Sequence, residues 1–285
     1  MDAVCAGKKW DVALVEDAGG RVCAAMPYLL GRRWGMSYVL QPQLTQWGGP
    51  WFGSSADRLE VSRQLAQRFR QAGLLFFAQS FGHDMDSMPR WEGFDYSERV
   101  TYRIDDIGNL EQVFEGFDRQ RRQRPIRRAE RVLATVEGIE PEEFARFHAR
   151  YWASRGRRDV LSEEFITRIV STALARGQGL LMGVADETGR LHAARFVAFD
   201  SHSAYALLSA LNPEGHHNGA SPLLFWRMME RLSTRTRAFD FEGSMDPGIA
   251  FSYSLYGARP VGYQHVTRHR NRAVKRLLPL LGINI

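Results

Sequence analysis

The same run of residues occurs twice in this 285-residue chain. Residues 10–30 read WDVALVEDAGGRVCAAMPYLL and residues 179–199 read GLLMGVADETGRLHAARFVAF. At a constant spacing of 169 residues, Asp17, Gly20, Arg21, Ala24 and Ala25 fall on Asp186, Gly189, Arg190, Ala193 and Ala194. LLFFAQS at 74–80 then matches AFDFEGS at 238–244 at a spacing of 164, as a five-residue loop difference gives. Each half reads hairpin, strand, helix, strand and a glycine-containing return. A period this long is no solenoid repeat, so the pattern predicts a duplicated domain. Two copies of one fold make a cleft between them, and ligands tend to bind in such clefts.

The length suits two ordinary domains. With 44% hydrophobic and 25% charged residues, the composition is that of a globular protein. No run approaches the roughly 18 apolar residues of a membrane span, and the first residues lack the apolar core of a signal peptide. Cytoplasm is the expected compartment. Cys5 and Cys23 can form no disulfide framework and have no metal-ligand spacing. The net charge of +6 is mostly arginine, densest over Arg119–Arg131 (RQRRQRPIRRAER) and again near the C-terminus (RHRNRAVKR). Guanidinium forks suit phosphate-bearing partners, although a solvated helix face and a basic tail account for the runs equally well. No zinc finger or RNA-recognition signature accompanies them.

Along the chain, Val12–Glu16 and Arg21–Leu30 predict a hairpin and Met36–Leu40 a third strand. Residues 41–55 form an aromatic, Gly/Pro-rich loop. Asp57 predicts a helix cap, with Gly73 as the stop, and strands follow at Leu74–Ser80 and Arg99–Ile104. Leu110–Arg131 is helical in pattern but broken at Pro125, and serves as the expected bridge between halves. Pro141–Arg155, with Phe144, Phe147, His148 and Tyr151 on one stripe, and the segment from Ser162 to about Gly177 predict helices. The hairpin recurs at Leu180–Ala198, followed by strand Ser203–Leu211, helix Pro222–Arg235, strand Ala238–Glu242, helix Ile249–Tyr256 and strand Gly262–Thr267. The fold class is α+β, each unit a mixed, mainly antiparallel sheet flanked by helices. The expected boundaries are 1–108, a helical connector at 109–140, and 141–285.

The best candidate site is the strand-to-helix junction Asn212–Ser221 (NPEGHHNGAS). Small residues there let a ligand approach the backbone, and a helix N-terminus offers free N–H groups to an anion such as pyrophosphate. Pro222 suits the first helical turn. An ordinary capped turn with Gly219 at positive φ is the plainer alternative. Glu242 ends a strand, with Ser244 and Asp246 in the next loop, and is a candidate base or amine-orienting carboxylate. An ion pair with an arginine such as Arg195 is the structural alternative. In the aromatic loop, Trp47 and Trp51 are candidate walls for an acceptor or else core. His83 and Asp84 lack a third ligand, and His216-His217 lacks metal-ligand spacing, so no metal site is expected. No nucleophile elbow is present.

The order of elements resembles the GNAT acyltransferase unit, whose pyrophosphate-binding turn sits at this junction. Asn218-Gly219-Ala220 is similar to the latter part of that family's motif, while its usual leading Gln/Arg is replaced by His216 or His217. The spacing Asp246, Tyr253, Gly257 is similar to the family's Asn, Tyr, Gly series, with Asp in place of Asn. Two such units, joined near Arg124 and Ile126–Glu130, resemble the FemABX arrangement, and 239–263 (FDFEGSMDPGIAFSYSLYGARPVGY) is similar to the closing section of FemAB-like and BioF2-like acetyltransferase-domain proteins. The resemblance implies an N-acyltransferase with the donor, acyl-CoA and most simply acetyl-CoA, in the second copy. Its donor-binding candidates are Leu208, Ala210, Asn218, Gly219, Ala220 and Ser221. Tyr253 becomes the candidate acid for the leaving thiolate, with Tyr256 a core-or-site rival, and Glu242 the candidate base. Trp47, Trp51 and Ser244 fall on the side of an amine acceptor lying in the cleft. Two other readings stay open: transfer from aminoacyl-tRNA to a cell-wall precursor, with Arg119–Arg131 on the tRNA, and a non-catalytic ligand-binding protein. Neither the acceptor nor the oligomeric state is readable from the residues.

Overall fold

The computed structural model describes residues 1–5, 9–82, 85, 88–243 and 245–280. It divides into two compact units, 1–99 with 262–285, and 100–261. The elements of the first stretch are α1 (Asp2–Cys5), β1 (Trp10–Glu16), β2 (Val22–Arg33), β3 (Met36–Leu40), β4 (Trp51–Phe52), α2 (Arg58–Gln71), β5 (Phe76–Phe81) and β6 (Asp95–Ile104). Then come α3 (Leu110–Glu115), a π-helical turn at Arg119–Gln123, α4 (Arg124–Ala129), β7 (Ala134–Glu137), α5 (Pro141–Ser154) and α6 (Glu163–Ala175). The repeat returns with β8 (Gly179–Ala185), β9 (Leu191–Phe199), β10 (Ser203–Leu211), a 3-10 turn at Glu214–His216, α7 (Ala220–Leu232), β11 (Ala238–Asp240), α8 (Pro247–Ser254), β12 (Arg259–His269) and α9 (Arg272–Leu280).

The two hairpins agree to the level of register. Val15 pairs with Ala24 and then Glu16 with Val22, one residue skipped; Val184 pairs with Ala193 and then Ala185 with Leu191, the same skip at the same place. Their turns are built alike. Asp17 Oδ1 accepts the backbone N–H groups of Gly19 and Arg21, and Asp186 Oδ1 those of Thr188 and Arg190. Such Asx turns need a residue that tolerates positive φ further on. Gly20 (+74°) and Gly189 (+80°) supply it. Three of the five matched pairs, at Asp17, Gly20 and Arg21, are those that build the turn, which is why they stand out in the sequence.

Each unit then follows the same plan. In unit 1, β3 joins β2 antiparallel and α2 carries the chain to β5, which lies parallel to β3. In unit 2, β10 joins β9 antiparallel, and α7 carries the chain to β11, parallel to β10. A parallel neighbour requires such a crossover. The sheets are therefore mixed but mainly antiparallel, as the pattern predicts. The next strand is where the structure departs from sequence order. β5 is flanked by β12, paired from Gln264↔Phe81 to His269↔Phe76, and β11 by β6, paired at Phe239↔Ile104 and Asp240↔Arg103. Each unit is thus completed by a strand from the other stretch of sequence.

That exchange moves residues 262–285 into unit 1, away from the second copy with which sequence order groups them. The basic C-terminal run is not a free tail: Leu278 of α9 is fully buried with Leu75 and Phe76, with Val274 beside it, and Lys275 Nζ lies 2.7 Å from Asp95. The expected bridge likewise belongs to unit 2, where Ile126, Ala129 and Leu133 are buried in the core formed by α7 and its sheet. Fully burying a side chain such as Ile126 contributes about 2 kcal/mol, enough to hold this segment to the unit. Pro125 stands in the first turn of α4, where its missing N–H costs nothing, so the helical pattern breaks before it, at the π-helical turn. On α5, Phe144, Phe147 and His148 are buried as their spacing predicts; His148 Nδ1 is satisfied by Asp159 Oδ2 at 2.6 Å.

Candidate functional site

In unit 2, β10 and β11 pair only over Ser203–Tyr205 and Ala238–Asp240. Beyond Tyr205, β10 bulges against β9 and runs on to Leu211 without β11 beside it. In unit 1 the corresponding opening is filled by the chain itself. Gly48, in the aromatic loop, bridges to Phe81 and donates its N–H to the Ser80 carbonyl at 2.8 Å, while Gln41 Oε1 accepts the Ser80 N–H at 2.9 Å. The second unit's opening has no such bridge among the described residues.

The turn from β10 into α7 is tightly specified. Asn212 Oδ1 accepts the Gly215 N–H at 2.7 Å and its Nδ2 donates to the Leu191 carbonyl. Arg190 grips both oxygens of Glu214 at 3.0 Å. Asn218 Oδ1 accepts the Ala220 N–H at 3.1 Å, and its Nδ2 donates to His192 Nδ1 at 2.7 Å. Gly219, at φ +83°, caps α7. A β-carbon there would come within 2.7 Å of the Pro125 carbonyl oxygen, so α4 lies directly on the turn. Asn218 and Gly219 face a groove of about 800 Å³ shared with Arg124, Arg128, Arg131 and His217. Leu208, Ala210 and Ala220 are instead buried, the first two paired to Phe196 and Ala194 of β9, so they shape the strand and helix behind the groove. Ser221 faces inward, toward Arg195.

At the other side of the opening, Glu242 follows β11 in the left-handed region, φ +60°, which is rare for a residue with a β-carbon. Asp240 holds it there: its Oδ1 accepts the Glu242 N–H at 2.8 Å and the Thr101 hydroxyl at 2.5 Å. Burial, with the Asp240 carboxylate nearby, pushes the Glu242 carboxyl up to about 8. Its Oε1 is buried without a hydrogen-bond partner, and no cation pairs with it among the described residues. The ion pair with Arg195 that the sequence left open is not formed.

Tyr253 lies on α8, its ring 5.0 Å from Phe241 and 6.1 Å from Tyr102. Burial raises its phenol; the Arg195 charge opposes this, and Glu242 adds to it. Tyr253 is thus within electrostatic reach of both. The Asp246–Tyr253–Gly257 spacing has a structural origin. Asp246 caps α8, accepting the N–H groups of Gly248 and Ile249, and Gly257 ends it at φ +69°. Tyr256 is only 3% exposed and packs against Phe117, Phe225 and Phe241, with the Arg122 guanidinium 4.4 Å from its ring centre. It is a core residue. Arg122 also donates to the Ser252 carbonyl and hydroxyl, tying the π-helical turn to α8.

Arg195, on β9, is the residue whose importance the sequence did not signal. It is 3% exposed, and its guanidinium lies 3.3 Å from the centre of the Phe225 ring. Its Nε donates to Ser209 Oγ at 2.7 Å. Burial pulls it down to about 10. A mainly apolar strand hides such a residue, because only the packing of α7 shows that it is buried.

Of the remaining candidates, Trp47 packs edge-on against Tyr263 in unit 1, centres 5.6 Å apart. Trp51 sits on β4, paired with Ala25, and is 61% exposed, so the aromatic loop is only partly covered. Ser244, His83 and Asp84 lie outside the described residues. No group of three or more His, Cys, Asp or Glu could hold a metal among the described residues, and no helix among them is long and apolar enough to cross a membrane.

A hairpin, a bulged strand parting from its parallel neighbour, and a small-residue turn into a helix are the elements of the GNAT fold. Residues 119–248 match the model of the acetyltransferase (GNAT) domain family. The whole chain has the fold of FemX, with a TM-score of 0.69 at 13% identity over 98% of this chain and 92% of that one. It is also similar to a tandem GNAT protein from the clavulanic acid biosynthesis pathway (TM-score 0.54, 16% identity, 93% and 84% covered). L-PGS from Bacillus licheniformis shares the fold as well (TM-score 0.55, 12% identity, 97% and 89% covered). No curated protein matches the chain by sequence.

Proposed function

We propose that the protein is an N-acyltransferase that moves an acyl group, most simply acetyl from acetyl-CoA, to an amine. One observation carries this reading: the arginines of α4 line one groove with the turn that joins β10, the strand that parts from β11, to α7. The groove takes the donor's phosphates, on guanidinium forks and the positive end of α7. The thioester then reaches the opening between β10 and β11.

The chemistry follows from the two titratable groups. The amine attacks the thioester carbonyl as Glu242, in its carboxylate form, takes a proton from the nitrogen. A base with a pKa near 8 suits this work near neutral pH. The tetrahedral intermediate collapses with loss of the CoA thiolate, and Tyr253, kept protonated by burial, gives it a proton. Ser244, two residues beyond Glu242, is a proposed acceptor contact.

The run of arginines in the groove also supports a second reading, in which the donor is aminoacyl-tRNA. Binding separates the two. Acetyl-CoA should raise the melting midpoint of the protein, since a ligand of the folded state stabilises it, and the Arg124→Gln/Arg128→Gln double variant should lose most of that rise. No rise with acetyl-CoA, together with tRNA binding that weakens steeply with salt, would transfer the proposal to the tRNA donor. If neither binds, the acyl-transfer reading fails and a non-catalytic ligand-binding protein remains.

A further inference from the structure

Arg195 carries a charge that no described residue neutralises. Among the described residues no carboxylate pairs with it, and the groups within electrostatic reach are the phenols of Tyr256, Tyr253 and Tyr151. Its hydrogen bonds are few. Nε donates to Ser209 Oγ at 2.7 Å, Nη2 reaches Ser221 Oγ only at 3.5 Å, and Nη1 is buried without a partner. Phe225 covers one face of the guanidinium. The edge bearing Nη1 and Nη2, which presents two parallel N–H donors, is therefore the part left unsatisfied. Buried charges are ordinarily paired, and leaving one unpaired destabilises the fold. A cation–π contact offsets only part of that cost.

The position of this edge is specific. Ser209 stands on β10 four residues beyond Tyr205, the last β10 residue paired with β11, and Ser221 stands in the first turn of α7. The guanidinium lies between the parted strand and that first turn, and its charge is felt by Tyr253.

We propose that Arg195 is a buried receptor for a carboxylate, bound side-on to Nη1 and Nη2 with the Ser221 hydroxyl at its edge. Guanidinium and carboxylate match in two parallel N–H···O bonds. A monoanionic carboxylate suits a buried guanidinium covered by Phe225 and within reach of tyrosine phenols better than a strongly hydrated phosphate dianion does. Assigning that carboxylate to a reactant rests on the acyl-transfer reading: one of the two reactants is an acid, either a dicarboxylic acyl group or an amino-acid acceptor. The receptor itself does not depend on that reading.

The test is a thermal-shift titration of the full chain with succinate and with glycine, against succinamide and glycinamide, in wild type, Arg195→Met and Arg195→Lys. Succinate, glycine or both should raise the wild-type midpoint, the amides, which lack the carboxylate, should not, and Arg195→Met should lose the response. Succinate alone places the carboxylate on the acyl group, and glycine alone on the acceptor. Without ligand, Arg195→Met should melt at or above wild type, because it removes an unpaired buried charge; a purely structural arginine would lower the midpoint. Equal responses in wild type and Arg195→Met, or no response to either acid, overturn the proposal while leaving acetyl-CoA binding in the groove untouched. Should Arg195→Met not fold, the Arg195 Nε–H resonance of the wild-type protein decides: it must move on titration with one of the two acids and stay still with the amides.

Discussion

Asn218 and His192 are joined by a 2.7 Å hydrogen bond that fixes the turn before α7. Because the Asn218 amide donates to His192 Nδ1, the proton of the ring sits on Nε2 and is given to Asp186 Oδ2 at 3.0 Å. The aspartate that makes the repeated hairpin turn thus also orients, through one imidazole, the residue whose Oδ1 accepts the first N–H of α7. At the corresponding place the first copy has Cys23, which cannot play this part.

Replacing His192 with Phe should therefore loosen the groove without touching the chemistry. The loss of the bond to Asn218, the one that holds the turn, costs about 1 kcal/mol, so KM for the donor should rise about fivefold while kcat stays within twofold. Steady-state kinetics with the donor varied checks this; an equal fall in kcat would place His192 in the reaction itself.

Gly219→Ala should destabilise the whole unit. The residue sits at φ +83° and its new β-carbon would meet the Pro125 carbonyl. The expected loss exceeds about 1 kcal/mol, a drop in midpoint of at least about 2 °C for a chain of this size. Calorimetry reads it directly.

Glu242 gives a signed pH dependence. Its folded pKa, about 8, lies above the ordinary carboxylate value, so the folded state favours the protonated form. Its contribution is fully present below the ordinary value and is lost as pH rises toward 8, by at most about 1.4 kcal/mol per pH unit. Glu242→Gln should flatten this slope and be the more stable protein at pH 8. The same variant should lose the rise in kcat/KM with pH through about 8. Urea titrations at several pH values and a pH–rate profile test the two statements separately.

Tyr253→Phe and Tyr256→Phe should behave differently although the residues are three apart. Removing a general acid lowers kcat by roughly 10²–10⁴-fold, the expectation for Tyr253. Tyr256, buried and pushed up to about 12 by burial, should cost about 1 kcal/mol of stability and leave kcat within twofold. Rates and melting midpoints of both variants, measured side by side, decide between acid and core.

The Asx turns at Asp17 and Asp186, the caps at Asp57 and Ser162 and the stop at Gly73 were legible because each depends on a few neighbours in sequence. So was the turn Asn218–Gly219, whose small residues mark a place where chain must come close to something. Glu242 was visible as a carboxylate at a strand end. Its left-handed backbone and raised pKa were not, since both come from Asp240, and Asp240 in turn is held by Thr101, far away in sequence. Arg195 was legible only as an ion-pair partner for Glu242; Phe225 and Ser221 of α7 make it a buried cation instead.

By itself, then, the sequence determined the repeated unit: local hydrogen bonds and the period of two along each strand specify hairpin, strand, helix and strand twice over. Tertiary structure decided which strand completes each sheet. β12 closes onto β5, and β6 onto β11, although sequence order places each with the other copy. Nothing local distinguishes one open strand edge from another, because a ladder of N–H and C=O groups is the same in every strand. The choice is made by which face of the incoming strand is covered, as Val266 of β12 is buried in the unit 1 core, and that is a property of the assembled fold.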